Sequence, residues 1–569
     1  MSDFIRRKRL TAFVAVALMA VALLSFSATA HAIVPPSSTE PGIVMRSLTE
    51  QNGPASRHEA VITIPAPSQE GPNQLSTVKV FVLKKVILDQ PNVYSPFPLY
   101  DMWRDMVGKK VSLADLNTIA ARVTKKYRED GYIFSRAILP PQKVVNGVVH
   151  LQAVEGRIVK VILTGHYKDK NKLIRRFADQ IDKHGPANTH DIERYLLLIN
   201  DLPGISAKSI IRPAAVAGGA DLIIDVEEKQ AEGSLSFDNR GSRYLGPYRG
   251  TAVAAFNDVF GLHDRTTFRG ILSTDTKELR FGDITHEEQI GDEGAKVKFR
   301  AAFTHAQPGG NVSSDNILGT SQMYDVEGDY PVIRSRQYNW NLIAGFNYLD
   351  SKTDVAGAQT ANDHVRTARV GTHFDMTDAL AGVNQVDFTL TQGLRILGAT
   401  PDGAGRSRTN GHEEFLKGDI TATRIQKLPD LWSLMVSGTG QLADHPLLAS
   451  EEFTVGGPPY GRAYDTGEIS GDNGYAGTAE LRYGGFTQNN KYLKSYQAYT
   501  FIDYGKVRNY QPVVGETRQD SLTSAGVGFR FNLVHEFSGY VELDKPISKQ
   551  VQSQGNRNSR LFFSLLKRF

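Results

Sequence analysis

Cysteine is absent from the 569 residues of this chain, which excludes disulfide bonds, thiolate metal ligands and cysteine nucleophiles. The sequence also lacks a G-x-x-x-x-G-K-[ST] phosphate loop, a G-x-S-x-G nucleophile elbow and an H-x-x-x-H pair with a flanking glutamate. We therefore predict that the chain is not an enzyme, that it holds no cofactor and that it has no metal site.

A large excess of charge is absent as well. The chain opens with the basic run Arg6-Arg7-Lys8-Arg9, a mostly apolar stretch over 10–26, and Ala30-His31-Ala32. This pattern predicts a signal peptide over residues 1–32, with a transmembrane anchor as the alternative. Residues 1–32 hold four of the 65 basic and one of the 61 acidic residues, so the remaining chain is almost neutral. We therefore expect no binding to nucleic acid.

No run of about 18 apolar residues follows residue 32, so a second spanning helix is not predicted. From Gly233 onward apolar and polar residues alternate instead, for example over 385–396 and 524–533. Strands of ~9–11 residues plus turns would divide 230–569 into about sixteen strands of a transmembrane β-barrel. A soluble β-sandwich with wet outer faces is the alternative.

Between the signal peptide and the barrel the pattern is mixed. Residues 33–75 are rich in proline, serine and glycine and predict a linker, with one short helical candidate at 42–51. Two units of the order β-α-α-β-β follow, at 76–155 and 156–229. In the first we predict strands at 78–88, 132–139 and 148–154 and helices at 99–107 and from Ser112 to Gly131. In the second we predict strands at 158–164, 205–211 and 222–227 and helices at 172–181 and 191–200.

Two short motifs near the C-terminus place one cation and one anion within the predicted barrel. The first, residues 456–465 (GGPPYGRAYD), contains Arg462, and the second, residues 501–505 (FIDYG), contains Asp503. An unpaired charge in such a place is costly. The two motifs therefore suggest a mechanical lock in a channel, whereas an ordinary surface loop over 443–475 is the alternative.

The chain ends on RLFFSLLKRF at 560–569, with Leu561, Phe563, Leu565 and Phe569 on one face. This pattern predicts a terminal barrel strand that pairs with the first strand. Lys567 interrupts the face close to the membrane interface, where a lysine can extend its ammonium to water.

Several motifs resemble one known family. Residues 127–142 (YREDGYIFSRAILPPQ), with Gly147-Val148-Val149 and the run 154–158 (VEGRI), resemble the first POTRA domain of the haemolysin-activation family, the outer-membrane transporters of two-partner secretion. Pro41-Gly42 with Arg46 resembles the N-terminal segment of that family, and residues 238–242 (DNRGS) resemble its first barrel strand.

The resemblance implies two periplasmic POTRA domains and a barrel whose loop 443–475 folds into the lumen, where Arg462 meets Asp503. It also carries over Tyr464 and Gly505, with Phe501 as a packing neighbour. The chain departs from the usual Val-Arg-Gly-Tyr form, because Gly461 replaces the valine and Ala463 replaces the glycine. Since alanine does not readily adopt φ > 0, the local turn is expected to differ.

The two POTRA domains would bind the client, because an exposed strand edge can accept an extended peptide, and the candidate residues lie in the first domain. Arg136 and Gln142 are the candidate residues, and packing of the domain against its neighbour is the alternative. Pro140-Pro141 would prevent ladder pairing at one edge.

The resemblance further implies that the barrel secretes an unfolded exoprotein of the adhesin or haemolysin kind without ATP, and that the N-terminal segment can plug the pore. The expected surroundings are outer-membrane lipid and, during biogenesis, the barrel-assembly machinery. The chain is expected to be monomeric. A barrel-assembly insertase of the same superfamily is the alternative function, and a barrel enzyme and a passive porin fit the sequence less well.

Overall fold

The computed structural model describes residues 36–50, 61–63, 77–94, 97–182, 185–216, 218–401, 403, 405–487, 490–512 and 515–569. The predicted signal peptide and most of the predicted linker lie outside these residues. Within them, no helix is both long and apolar enough to cross a membrane.

The first described element is a short helix. After a 3-10 turn at Ser37–Thr39, helix α1 spans Pro41–Glu50, close to the predicted 42–51. Proline suits the first position of a helix because its missing N–H has no intrahelical partner there. Strand β1, Val61–Thr63, follows.

The first predicted unit, expected to be a POTRA domain, is a small sheet covered by one long helix. Its elements are β2 Phe81–Val82, β3 Lys85–Asp89, β4 Lys110–Val111, α2 Leu113–Glu129, β5 Arg136–Ile138 and β6 Val148–Val154. The predicted capping box is present, since Ser112 and Asp115 each accept a backbone N–H of the other. Leu116, Val123 and Tyr127 of α2 face the core beneath the sheet β3-β6-β5.

Three sequence predictions in this domain are wrong in detail. The predicted strand 78–88 divides, because Leu83 donates its N–H to Lys109 O whereas Lys84 donates to Gly147 O, so the chain changes partner strand. The predicted helix 99–107 is two 3-10 segments, Phe97–Met102 and Arg104–Met106. The predicted strand 132–139 is shorter, because Ser135 closes a turn on Tyr132.

The second unit has the predicted order β-α-α-β-β. Its elements are β7 Arg157–His166, α3 Leu173–Asp182, α4 Thr189–Asn200, β8 Ile205–Pro213 and β9 Gly219–Glu228. Both helices pack on a sheet of order β1-β8-β9-β7, in which β1 runs parallel to β8. Strand β1 from the linker therefore occupies part of the edge of this sheet.

Sixteen strands close into an antiparallel barrel, which confirms the predicted architecture. Eighteen strands follow β9 in the described residues, and all but β21 and β22 belong to the barrel. They are β10 Ala231–Asp238, β11 Arg249–Asn257, β12 Arg265–Ser273, β13 Leu279–Ile290, β14 Ala295–Ala306, β15 Ile317–Arg334, β16 Tyr338–Val355, β17 Ala358–Thr377, β18 Gly382–Gly393, β19 Leu416–Lys427, β20 Trp432–Ala443, β21 Phe453–Val455, β22 Ile469–Gly471, β23 Asn473–Phe486, β24 Leu493–Arg508, β25 Gln519–Leu533, β26 Phe537–Pro546 and β27 Arg560–Arg568.

The alternation of side chains separates a lipid face from a lumen face. On β25, Val527 and Phe529 are exposed on the outer surface, whereas Ser524 and Arg530 contact polar groups inside the barrel. The last strand pairs with the first, as predicted, over Ser234–Asp238 of β10. The predicted strand 385–396 is too long at its C-terminal end, because β18 ends at Gly393.

The second unit lies against the rim of the barrel at which the turn between β11 and β12 is found. Arg334 at the end of β15 makes two ion-pair contacts with Asp201, at 2.6 and 2.7 Å. His263 in the turn between β11 and β12 lies 3.1 Å from Asp169, and Arg194 reaches the turn before β14. These contacts fix the orientation of the unit on the barrel.

The loop lock, a candidate functional site in the lumen

The loop between β20 and β23, residues 444–472, folds into the barrel instead of lying on its outside. Its stem is the hairpin β21–β22, whose Phe453, Val455 and Ile469 are buried. Residues 456–468, here called the loop tip, pass below this hairpin. The structure thus brings the predicted 443–475 segment into the lumen.

Arg462 of the loop tip lies against Asp503 of β24. Its Nη2 is 3.0 Å from Asp503 Oδ1 and its Nε is 3.2 Å from Oδ2, which is a bidentate pair. The backbone N–H groups of Gly461 and Arg462 also donate to Asp503, at 3.2 and 2.9 Å. Asp503 is completely buried, so this carboxylate depends on these donors.

The conformation of the loop tip explains how the chain tolerates its unusual motif. Gly461 has φ +99°, and a Cβ there would lie 2.8 Å from Leu522. Ala463 is not among the residues with positive φ and is fully buried. The left-handed residue therefore precedes Arg462, so alanine in place of the usual glycine causes no backbone strain.

The other three predicted lock residues also surround Arg462 and the loop tip. The Arg462 guanidinium lies 3.4 Å from the centre of the Phe501 ring, a cation–π contact. Tyr464 donates its hydroxyl to Thr523 O at 3.1 Å. A Cβ on Gly505 would lie 2.4 Å from Val455, so only glycine permits the hairpin β21–β22 to pack this closely on β24.

The sequence did not identify several charged partners of the lock. Glu480 of β23 receives Arg462 Nη1 at 2.5 Å, and Arg530 of β25 donates to the same carboxylate at 2.6 and 3.1 Å. Arg240, which follows β10, contacts Glu542 and donates to the Arg462 carbonyl at 3.1 Å. Each of these residues occupies a lumen-facing position, but periodicity alone does not show which positions on separate strands lie at the same height.

A cavity of about 210 Å³ lies beside the loop tip on its periplasmic side. Arg482, Arg530 and Tyr499, from the periplasmic halves of their strands, line the cavity together with the tip residues Pro459 and Arg462. Charged side chains from three barrel strands and the loop tip therefore border this space.

Helix α1 fills another part of the lumen. Val44, Met45 and Leu48 are buried against an apolar patch of the inner wall that includes Phe281 and Met323. A Cβ on Gly42 would lie 2.6 Å from Ser450 Cβ in the loop, which shows how closely α1 approaches the loop.

Polar contacts also hold α1 in place. Arg46 donates to the backbone carbonyl of Glu452 in the loop, and Arg300 of β14 donates to Thr49 O at 3.2 Å. Burial, with added repulsion from Asp363 and Glu452, raises the pKa of Glu40, directly before α1, to about 8. The seated helix therefore favours a protonated Glu40 at neutral pH.

The two candidate client-binding residues differ in their surroundings. Arg136 is exposed at the start of β5. The Gln142 amide bonds within its own domain, donating to His150 O at 2.6 Å and accepting from His150 N at 2.8 Å. The Gln142 side chain thus replaces the ladder partner that Pro140-Pro141 cannot provide.

In the described part of the chain, no three histidine or acidic side chains are grouped in a way that could hold a metal ion. The contacts around Arg462 are ion pairs with Asp503 and Glu480 and a cation–π contact with Phe501.

Comparison with known proteins agrees with this geometry. A family model described as "Haemolysin secretion/activation protein ShlB/FhaC/HecB" matches residues 218–531, and "POTRA domain, ShlB-type" matches residues 81–156. The heme/hemopexin transporter protein HuxB of Haemophilus influenzae strain 86-028NP is 25% identical over 82% of this chain and 83% of its own length. The outer membrane transporter CdiB of Escherichia coli O6:K15:H31 is 25% identical over 70% of this chain and 68% of its own.

Solved structures show the same fold. CdiB from Escherichia coli superposes with a TM-score of 0.75 at 18% identity, covering 95% of this chain and 100% of that structure. CdiB from Acinetobacter baumannii gives 0.65 at 17% identity, with coverage of 95% and 100%. The chain therefore belongs to the ShlB/FhaC/HecB family of haemolysin secretion and activation proteins, outer-membrane transporters of two-partner secretion whose POTRA domains lie in the periplasm.

Proposed function

We propose that this protein captures an unfolded exoprotein with its POTRA domains and passes it through the barrel to the cell surface. The observation that carries this proposal is the content of the lumen. A closed sixteen-stranded barrel is filled by two segments, α1 and the loop tip, neither of which is a strand of its wall. Neither segment contributes a strand to the wall, so either could leave the lumen without removing a strand from the barrel.

The relatives support a transport role for the whole chain. HuxB and CdiB are named as transporters, and their similarity extends over most of this sequence. The exoprotein is expected to be of the adhesin or haemolysin kind. Its exact identity depends on which exported protein is produced together with this chain.

The inner wall suits the passage of a hydrated polypeptide. Asp283 pairs with Arg269 and Arg300, and Asp325 pairs with Arg369, so carboxylates and guanidiniums on the wall neutralise each other. The backbone of an unfolded polypeptide has N–H and C=O groups that are not paired within secondary structure. A polar wall can offer these groups hydrogen bonds while the polypeptide moves.

The proposed transport needs neither nucleotide nor catalysis. The sequence has no phosphate-loop motif and no nucleophile elbow. Folding of the exoprotein outside the cell would supply direction, because a folded segment cannot diffuse back through the pore.

Capture is expected at the open edges of the POTRA sheets. Strand β8 is nine residues long, and within the described residues β1 pairs with its Lys208–Ile210. This intramolecular pairing is an example of an extended segment added to the sheet edge. Arg136 on β5 would contribute a charge to a client segment, whereas Gln142 would maintain the shape of its edge.

The remaining partners follow from the architecture. The outward rows of exposed aliphatic and aromatic side chains would contact outer-membrane lipid, and the terminal strand β27 would be recognised by the barrel-assembly machinery. We propose a monomer, because the sixteen strands close on each other within one chain.

Deletion of residues 76–155 tests the proposed capture. In proteoliposomes with the POTRA domains accessible, the full-length protein should bind a urea-unfolded exoprotein and move it into a protease-protected lumen without added ATP. The deletion variant should still insert as a heat-modifiable barrel but should lose binding. Equal client binding by the two proteins would contradict capture by this domain.

A further inference from the structure

The barrel closes at a seam between β10 and β27 that is shorter than its other strand pairs. Five residue pairs join these strands, from Ser234 with Arg568 to Asp238 with Ser564, whereas every other neighbouring pair in the described barrel has at least eight. Directly after Asp238, the side chain of Asn239 continues the hydrogen bonding between the two strands. The Asn239 amide donates to Leu561 O at 2.8 Å and accepts from Phe563 N at 2.7 Å.

Arg240, directly after this point, connects the first strand to the loop tip. Its side chain is 7% exposed, and Nη1 donates to the Arg462 carbonyl at 3.1 Å. The same guanidinium contacts Glu542 and Asp544 of β26, and its Nε donates to Tyr540 at 3.0 Å. Arg240 therefore holds the loop tip from the β10 side of the seam.

Arg560 does the same from the β27 side. It is the first residue of β27, and it donates to the Ala463 carbonyl at 3.0 Å and to Asp465 at 2.7 Å. The successive carbonyls of Arg462 and Ala463 are thus each held by an arginine from one of the two seam strands. Neither contact belongs to the Arg462–Asp503 pair.

One aromatic ring lies between these two arginines. Phe562 of β27 is 4% exposed, and its ring centre lies 4.0 Å from the Arg240 guanidinium and 4.8 Å from that of Arg560. Buried cation–π contacts of this kind are stabilising and fix the guanidinium planes. If the loop tip withdrew, both arginines would lose a buried carbonyl acceptor, and leaving such donors unsatisfied is costly.

We propose that Arg240, Phe562 and Arg560 form a seam clamp, which couples the seating of the loop tip to closure of the barrel between β10 and β27. While the tip is seated, its carbonyls hold both arginines on Phe562 and the seam is closed. When the tip withdraws, Arg240 and Arg560 each lose the carbonyl that positions them on Phe562, the short seam loosens and the lumen widens. The three residues are positioning residues. The coupling itself is independent of the proposed function, and only its use in transport rests on the proposed secretion pore.

Hydrogen–deuterium exchange of the full-length protein in detergent tests this coupling. Asp503→Ala, which unseats the tip, should accelerate exchange of backbone amides in peptides 231–240 and 560–569 about tenfold, the effect of roughly one net hydrogen bond. Peptides 338–377, from the opposite wall, should not change. Arg240→Lys with Arg560→Lys should accelerate the same seam peptides, and adding Asp503→Ala to this double variant should have little further effect.

Arg369→Ala is the matched control, because it removes a lumen arginine that pairs with Asp325 and Glu327 away from the seam. Its seam peptides should exchange at the wild-type rate. Exchange of the tip peptide 456–468 reports whether Asp503→Ala has displaced the tip. If it has not, a second variant that lacks residues 457–465 removes the tip from its seat. The proposal would be overturned if the tip were displaced and exchange of the seam peptides did not change. It would also be overturned if the effect of Asp503→Ala on seam exchange added fully to that of the Arg240→Lys and Arg560→Lys double variant. Secretion is assayed separately, so failure of the pore proposal gives a different result from failure of the clamp.

Discussion

Asp503 receives five hydrogen bonds, four from Gly461 and Arg462 of the loop tip and one from Ser524 of β25. The sequence made Arg462 and Asp503 candidates because both lie in short motifs that resemble family motifs. Nothing comparable marked Glu480, which occupies one of many polar positions on alternating strands. Its place beside Arg462 depends on the stagger of neighbouring strands, which is a property of the closed barrel.

Substitution of Arg462 tests the role of the lock. Arg462→Ala leaves the buried Asp503 and Glu480 carboxylates without their shared cation, a loss of about 3–5 kcal/mol for a fully buried pair. We expect at least a severalfold decrease in secretion with normal amounts of protein in the outer membrane. Arg462→Lys should be intermediate, because lysine keeps the charge but not the bidentate geometry.

Arg424→Ala is the control for this prediction. Arg424 also pairs with an aspartate, Asp378, but it is 37% exposed at the periplasmic end of its strand, where ion pairs contribute little. Its secretion should match the wild type. Equal secretion by Arg462→Ala and Arg424→Ala would show that the lock has no part in transport.

Glu40 predicts a pH dependence for the seating of α1. Its pKa rises from an ordinary value near 4.5 to about 8 when the helix is seated, so the seated state binds the proton more tightly. The resulting stabilisation is complete below about pH 4.5 and is lost as pH rises through 8.

Planar-bilayer recordings can measure this dependence. Channel openings should be rarer at pH 6 than at pH 9, and Glu40→Gln should reduce the difference and keep the channel closed at pH 9. Glu414→Gln, an exposed carboxylate at the opposite end of the barrel lumen from the POTRA domains, should behave as the wild type. More frequent openings at pH 6 than at pH 9 would contradict the assignment.

Helix α1 shows what can be predicted for a single element. Its start was predicted within one residue, whereas the predicted end at residue 51 lies outside the described residues. Its location in the lumen was only an implication of the family resemblance. The seat depends on contacts with residues more than 250 positions away, such as Thr304 and Ser450.

Gly42→Val should unseat α1. The new side chain would overlap with Ser450 Cβ, which lies 2.6 Å from the position of a Cβ at residue 42. We expect more frequent channel openings in planar bilayers than for the wild type. Gly250→Val is a suitable control, because a Cβ there meets no atom within 4 Å and valine suits a strand. Similar gating by the two variants would mean that this contact does not hold the helix.

At the scale of the whole molecule, the alternation of apolar and polar residues was sufficient to predict a barrel of about sixteen strands and two units before it. The pairing of the last strand with the first was predicted as well, but the short length of this seam and the docking of the second unit were not predictable. The docking contacts join Asp201 with Arg334 and Asp169 with His263, residues that are individually ordinary turn or terminal residues. Their pairing follows from how two separately folded parts meet, which no local pattern records.

The central claim is that a polypeptide passes through the lumen, beneath the loop tip. A photo-crosslinking amino acid at Arg482, which lines the cavity below the tip, can be compared with one at the adjacent Leu481, which is exposed on the outer surface. During active export, the account predicts covalent adducts with a signal-cleaved exported protein, identified by mass spectrometry, at position 482 and not at 481. Adducts at position 481 alone, or at neither position while export proceeds, would contradict it.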